Sequence, residues 1–498
     1  LLAIERVLIV VLGCYTGGMA VSFYFYDLET SGLNPREARI MQFAGQRTDM
    51  QLKPIGEPHN SLIALAEDVL PDPDAILVTG ITPQQTIAEG LSEAAFLEQF
   101  YEEITLPDTI FVGYNTVRFD DEFMRYLNWR NFYDAYEWQW QDHRSRWDLL
   151  DVVRMTRALR PDGIQWPFDA TGKPTNRLEL ITKLNGLDHE TAHDALSDVL
   201  ATIAVAKLLQ HKQPKLFEYL LGMRDKRKVT ELVSANEPFV YTSGKYPGEF
   251  EKTTAVVKLA DHPKRQGALV YDLRHDPSPF LALTAEQLVE RWQWQKEPTS
   301  PRLPVKSLRF NACPAIAPLS VLDAASQQRL KLSPQQAMIH LKKLRTDKLF
   351  VGKLMQALEI MDKQQQTRLL ENEQHVDGQL YDGFLGDTDR TKLRIVRAAD
   401  PKELTTQALS FSDKRLVAML PLYKARNFPK TLDDEERLSW ERYREQKLVL
   451  GGQQSRLNRY MKRLAELDAK PDLTGDQRYL LEELQLYAQS IMPADFDG

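Results

Sequence analysis

Residues 22–30 read SFYFYDLET: four aromatic side chains in succession, then two carboxylates separated by one leucine. Aromatic runs favour strands, and a strand apolar on both faces must be buried in a sheet. Alternate strand residues face the same side, so Asp27 and Glu29 project together from the strand's end. Two like charges a few ångströms apart repel, and each raises the other's pKa. A divalent cation removes the conflict, and hard carboxylate oxygens suit Mg²⁺ or Mn²⁺. Taken alone, the pair also reads as two solvated strand-end acids.

Further acids occur in matching contexts. FVGYNTVRFDDEF (111–123) gives a buried strand, then Asn115, then Asp120 at a helix start. Its neighbour Asp121 reads as a helix-start charge facing the macrodipole. HDALSDV (193–199) sets His193 five residues before Asp198. Five positions turn a helix by about 500°, so the two would not share a face. His193 is expected on the loop entering the helix and Asp198 in its first turns, which lets both approach one point. His189 and His193, at i and i+4, form a rival metal pair, but no third soft ligand accompanies them.

A chain of 498 residues accommodates about three domains. Two cysteines, Cys14 and Cys313, exclude a disulfide framework and a multi-cysteine zinc site. Residues 21–49 read as strand, turn, strand. Residues 70–85 read as a loop leading to a helix that starts at Thr82–Pro83. Helices are expected over 92–105, 120–133, 146–160, 176–186 and 193–210, with a strand at 109–115. Strands alternating with helices make this part α/β. From about 214 the pattern becomes β-rich and antiparallel, with a helical insertion at 284–296 and an irregular stretch at 300–308. From about 320 it is mainly helical. Boundaries are expected near 212 and 365. Residues 21–210 carry 30 Asp and Glu against 16 Lys and Arg, whereas residues 211–498 carry 39 against 46. A mildly basic second half suits a polyanionic partner or reflects ordinary surface variation.

The opening LLAIERVLIVVLGCYTGG has an apolar run, Val7–Leu12, too short to span a bilayer. It lacks a basic n-region. VLGC resembles a lipoprotein cleavage box; the preferred reading makes Met19 the natural start and residues 1–18 an upstream extension. No other segment reads as a membrane helix.

Together and in order, DLET, YNTVRFD and HDALSD resemble the three motifs of the DEDDh exonuclease superfamily, with His193 at the place of the branch's histidine. RNFYDAYEWQWQDHRSRWDLLDVVR, RLELITKLNG and LYDGF…ARNFP narrow the likeness to the bacterial exodeoxyribonuclease I family, from about residue 23 into the last hundred residues. The resemblance implies an α/β ribonuclease H-like exonuclease domain (19–212), an SH3-like β-rich domain (213–365) and a C-terminal helical domain (366–498). It implies two Mg²⁺ ions, with Mn²⁺ as a substitute, held by Asp27, Glu29, Asp120 and Asp198. His193 would deprotonate or orient the attacking water. It implies processive 3′-to-5′ hydrolysis of single-stranded DNA to nucleoside 5′-monophosphates, in repair and recombination. An RNA-trimming enzyme of the superfamily and an idle nucleic-acid-binding scaffold are the alternatives. The downstream residues argue against the first, and the intact acidic set against the second.

Five of the eight tryptophans lie between 129 and 166, among arginines. Unpaired bases stack on aromatics and arginines neutralise phosphates. Tyr136 and Trp140 are the expected stacking surfaces, and Arg125, Arg154 and Arg177 the expected phosphate contacts. TGIT (79–82), with Ile81, would lie beside the terminal nucleotide, with Leu28 and Thr30 opposite and Glu29 touching substrate as well as metal. The basic runs 223–228 and 340–345 are solvated helix faces or parts of a longer groove. The resemblance also implies recruitment by the acidic tail of single-stranded DNA-binding protein, with Arg160, Tyr219 and Arg345 as candidate contacts. A monomer in the bacterial cytoplasm is expected.

Overall fold

The computed structural model describes residues 20–187, 194–293, 300–370, 375–404 and 410–493. Strands β1 (Ser22–Thr30), β2 (Ile40–Thr48), β3 (His59–Leu62), β4 (Thr109–Gly113) and β5 (Ser145–Asp148) form one sheet in the order β3-β2-β1-β4-β5. β1, β2 and β3 pair antiparallel, while β1, β4 and β5 run parallel.

The aromatic run fills both sides of this sheet. Phe23 and Phe25 pack with Val112, Trp147 and the helix Ala195–Lys212. Tyr24, Tyr26 and Leu28 pack with Phe43, Phe96, Phe100, Phe111 and Trp138. Each fully buried aromatic of this kind contributes roughly 2–3 kcal/mol. Asp27 and Glu29 continue the face of Phe23 and Phe25, toward the helix Ala195–Lys212. That helix buries Ala195, Ala201 and Ala206, small side chains that allow a close approach to the sheet.

A second sheet follows, from β6 (Phe239–Thr242), β7 (Thr253–Asp261), β8 (Gly267–Asp272), β9 (Val305–Arg309) and β10 (Ala315–Pro318). Its order is β10-β6-β7-β8-β9, antiparallel throughout. From Ala324 onward the described chain is helical, ending with Gly475–Ser490. The last helices return to the first part of the chain: Tyr126, Trp129 and Phe132, on and just after the helix Asp120–Arg130, pack against Leu416, Met419 and Tyr423. Met41, Ile76 and Ile81 pack against Tyr460, Leu464 and Leu481.

Four expectations about elements need correction. Residues 70–79 include a helix, Pro73–Thr79, capped by Asp72 and closed by Gly80 at φ 72°; Asp72–Pro73 is the same start signal as Thr82–Pro83. Residues 146–148 belong to β5 rather than to the helix Leu149–Leu159, because three residues are too few to show a period. Residues 214–234, read as the start of the β-rich part, form two helices, Pro214–Gly222 and Lys226–Ser234. The irregular stretch at 300–308 contains most of β9.

Candidate active site

Three elements bring the acids together. β1 presents Asp27 and Glu29, and the helix Ala195–Lys212 presents Asp198 from its first turn. One ligand oxygen from each of Asp27, Glu29 and Asp198 lies within 4.8 Å of the others. Asp120, the first residue of the helix Asp120–Arg130, is buried beside this trio.

The crowding has an electrostatic signature. Burial, reinforced by Asp120, Asp198, Glu29 and Asp194, holds the Asp27 carboxyl well above the usual range. Burial and then Asp198, Asp120 and Asp194 push Glu29 up to about 8. Burial pushes Asp120 up to about 7, with Asp148 adding to the rise and backbone hydrogen bonds opposing it. Such a set is unfavourable when ionised and suits a hard divalent cation.

Asp27 and Asp198 of the trio open into a cleft of about 460 Å³ lined also by Tyr114, Arg154, Arg177 and Lys252. Arg154 is held by Asp151 at 2.7 Å, and Arg177 pairs with Glu179. Lys252 reaches this cleft from the second sheet's side of the molecule. There, a Cβ on Gly244 would stand 2.6 Å from Arg118 Nη1 and 2.9 Å from Arg154 Nη1; a glycine lets the turn after β6 close on these arginines. A second, polar cleft of about 540 Å³ is lined by Gln42, Asn60, Ser61, Thr79, Ile81, Gln85 and Asp194. Ile81 therefore lies in a different recess from Arg154 and Arg177. Leu28 and Thr30 are buried, Leu28 within the aromatic cluster and Thr30 donating to Gly32 O at 2.9 Å.

Other predicted residues divide. Tyr136 and Trp140 are exposed, whereas Trp129, Trp138 and Trp147 are core. Arg125 is no open cation: it is buried, bonded to Glu122 and Gln139, with its guanidinium 5.2 Å from the centre of the Tyr136 ring. Asp121, read as a surface helix-start charge, is also corrected. It is buried, accepts from Tyr26 Oη at 2.5 Å and pairs with Arg146. Arg160 donates to Val321 O at 3.0 Å and Arg345 to Asn236 O at 2.6 Å. The Tyr219 hydroxyl is buried with no hydrogen-bond partner. His193 and His189 lie outside the described residues.

Four residues around the acids escaped the sequence reading. Asp194 caps the helix Ala195–Lys212 through Ser197 N at 3.0 Å. Gln42, opposite Glu29 in the β1–β2 register, donates to Asp194 at 3.2 Å and Asn60 at 2.9 Å. Asp148 accepts from the backbone N–H groups of Asn115, Val117 and Leu150 at 3.0–3.2 Å. It thereby holds the turn leading to Asp120. Lys252 is the fourth. Asp148 and Asp194, each an aspartate just before an apolar helical run, carried a cap signal; Gln42 and Lys252 carried none.

Comparison with known proteins agrees with this arrangement. Residues 24–206 match the family model for "Exonuclease", residues 224–359 that for the exonuclease I SH3-like domain, and residues 374–491 that for the exonuclease I C-terminal domain. Exodeoxyribonuclease I of Escherichia coli (strain K12) is 41% identical over 435 residues, covering 86% of this chain and 90% of that protein. The exonuclease I structure from Methylocaldum szegediense superposes with TM-score 0.88 at 43% identity, over 95% of this chain and 100% of that one. E. coli exonuclease I in complex with a dA16 oligonucleotide gives TM-score 0.87 at 40% identity, with the same coverage. Similar solved structures include a zinc-bound E. coli complex with single-stranded DNA and an SSB/exonuclease I structure with an inhibitor.

Proposed function

The chain belongs to the exodeoxyribonuclease I family, and from that premise we propose that it hydrolyses single-stranded DNA processively from a free 3′ end, releasing nucleoside 5′-monophosphates. The observation that carries this reading is the convergence of Asp27, Glu29 and Asp198, two of which, Asp27 and Asp198, line a cleft whose other charged lining is Arg154, Arg177 and Lys252, with Glu179 partnering Arg177. Asp27, Glu29, Asp120 and Asp198 would hold two Mg²⁺ ions, with Mn²⁺ as a substitute, and the all-carboxylate donor set fits them. When bound, such ions supply positive charge at the attacked and departing oxygens.

The remaining work falls to the chain's own side chains. Arg177 and Lys252 hold backbone phosphates of the entering strand, and Arg154 is steered toward them by Asp151. Tyr136 and Trp140 offer exposed aromatic faces on which bases stack, worth roughly 1–3 kcal/mol each. Arg125 supports the Tyr136 ring. Leu28 and Thr30, at the end of β1, and Ile81, in the second recess, flank the terminal nucleotide, and Glu29 contacts it. His193 takes the proton of the attacking water, a task suited to a side chain titrating near neutrality. Partner recruitment is read in the same way: single-stranded DNA-binding protein is the partner, as a similar solved structure of SSB/exonuclease I supports, and Arg160, Tyr219 and Arg345 receive its acidic tail.

The test offers 5′-labelled single-stranded DNA, duplex DNA and RNA, with Mg²⁺ and with EDTA. Stepwise shortening of the single-stranded DNA alone, abolished by EDTA, is the expected result. Equal shortening of RNA, or no shortening of any substrate, rejects the reading.

A further inference from the structure

We infer that Asp377, from the C-terminal helical part, is a positioning residue for the acidic site: through Arg39 it fixes the bulged end of β1 and hence the aim of Glu29. This rests on the nuclease reading above.

The connection is short and continuous. The β1–β2 register is irregular between Glu29 and Thr30, where Thr30 pairs with Ile40. A bulge re-aims the side chain beside it, so whatever holds the bulge sets where Glu29 points. Ser31 and Arg39 close it with two bonds of 2.8 Å: Ser31 N to Arg39 O, and Arg39 N to Ser31 Oγ. Ser31 O also accepts from Asp72 N at 2.7 Å, and Asp72 caps the helix that leads to Ile81. Arg39 thus sits where the Glu29 strand and the Ile81 segment meet.

Arg39 is itself held from the far end of the chain. Its guanidinium is buried, donates to Asp377 Oδ2 at 2.5 Å and lies 3.8 Å from Glu93. Asp377 also accepts two bonds of 2.9 Å from Arg426, which grips Asp68 in a fork at 2.7 and 3.2 Å. Lys447 completes the group on Asp68 at 2.5 Å. All these charges are buried, and replacing one partner strands another without solvent. Within this group the hydrogen bond to the Arg39 guanidinium from the C-terminal side is that of Asp377, whereas Lys447 donates to Asp68 and lies 5.7 Å from the centre of the Tyr443 ring. The two ends of the network therefore separate anchoring of the C-terminal helices from positioning of the active site.

Asp377→Asn, Arg39→Lys and Lys447→Met are compared with the wild type, well below each variant's melting temperature. Calorimetric Mn²⁺ titration without DNA, and kcat and KM on single-stranded DNA, are measured for each. Asp377→Asn and Arg39→Lys are expected to weaken Mn²⁺ binding and lower kcat by about tenfold or more, with KM for DNA little changed. Lys447→Met is expected to lower the melting temperature while retaining wild-type Mn²⁺ binding and kcat. Wild-type Mn²⁺ binding in both Asp377→Asn and Arg39→Lys overturns the inference. So does an equal loss of Mn²⁺ binding in Lys447→Met, which would mark the whole network as a structural anchor. If Asp377→Asn does not fold, Arg39→Lys and Lys447→Met decide. A wild-type protein that binds Mn²⁺ yet leaves DNA intact counts against the nuclease reading instead.

Discussion

At the scale of single residues, the site is a conflict held in place by burial. Asp27 and Glu29 face the same side because they are two apart in a strand, and Asp198 meets them from a helix. Asp27→Ala is expected to abolish turnover on single-stranded DNA while the far-ultraviolet circular dichroism is retained. Without a cation, folding must either ionise Asp27 among other acids or protonate it, and Asp27→Asn removes that cost, so the cation-free variant should melt above the cation-free wild type; an unchanged or lower melting temperature contradicts the crowding. A pH dependence follows with a definite sign. Burial and neighbouring acids raise Glu29 from 4.5 to about 8, and burial raises Asp120 from 3.8 to about 7. Between these limits the folded state holds protons that the unfolded chain has lost, so stability falls as pH rises through that window. In EDTA the melting temperature should therefore decline between about pH 5 and pH 8, and Mg²⁺ should flatten the decline. A profile in EDTA no steeper than that in Mg²⁺ rejects this account.

At the scale of elements, the site depends on caps as much as on ligands. Asp148 closes the helix Leu149–Leu159 and also ties down the turn at Asn115 and Val117, two backbone groups outside that helix. Asn115 has φ 76°, a left-handed conformation that asparagine tolerates and that needs external support. Asp148→Ala should cost more than the ~1 kcal/mol of an ordinary cap, read by urea denaturation, and should lower kcat because Asp120 follows the loosened turn. A cost of only an ordinary cap, with full kcat, would show that the turn stands without it. Long elements were legible in the sequence: the helix Ala195–Lys212 and the nine-residue strand Ser22–Thr30 lie where the sequence pattern put them. Short ones were not. β5 and β9 have four and five residues, and their strand character comes from pairing with partners distant in the chain.

At the scale of the whole molecule, the C-terminal helices and the first sheet are joined by apolar clusters and by the buried group of Asp68, Asp377, Arg39, Arg426 and Lys447. Arg426→Ala leaves two buried aspartates short of their main partner and should destabilise the protein by about 3–5 kcal/mol. Calorimetry should then show the C-terminal helices melting separately; a single transition at the wild-type temperature would mean that the apolar contacts alone bind them. The sequence by itself determined the buried strand, the shared face of Asp27 and Glu29, the α/β character of the first part and the order of the three motifs. Those properties follow from local periodicity and from spacing along one chain. Only the tertiary structure decided that Asp121 and Arg125 are internal struts, that Lys252 joins the cleft, and that Gln42 and Asp148 hold the acids' supports. It also decided that Asp377 grips Arg39, 338 residues away. A side chain's partner across the fold is set by packing and charge neutralisation in three dimensions, and neither leaves a period in the sequence.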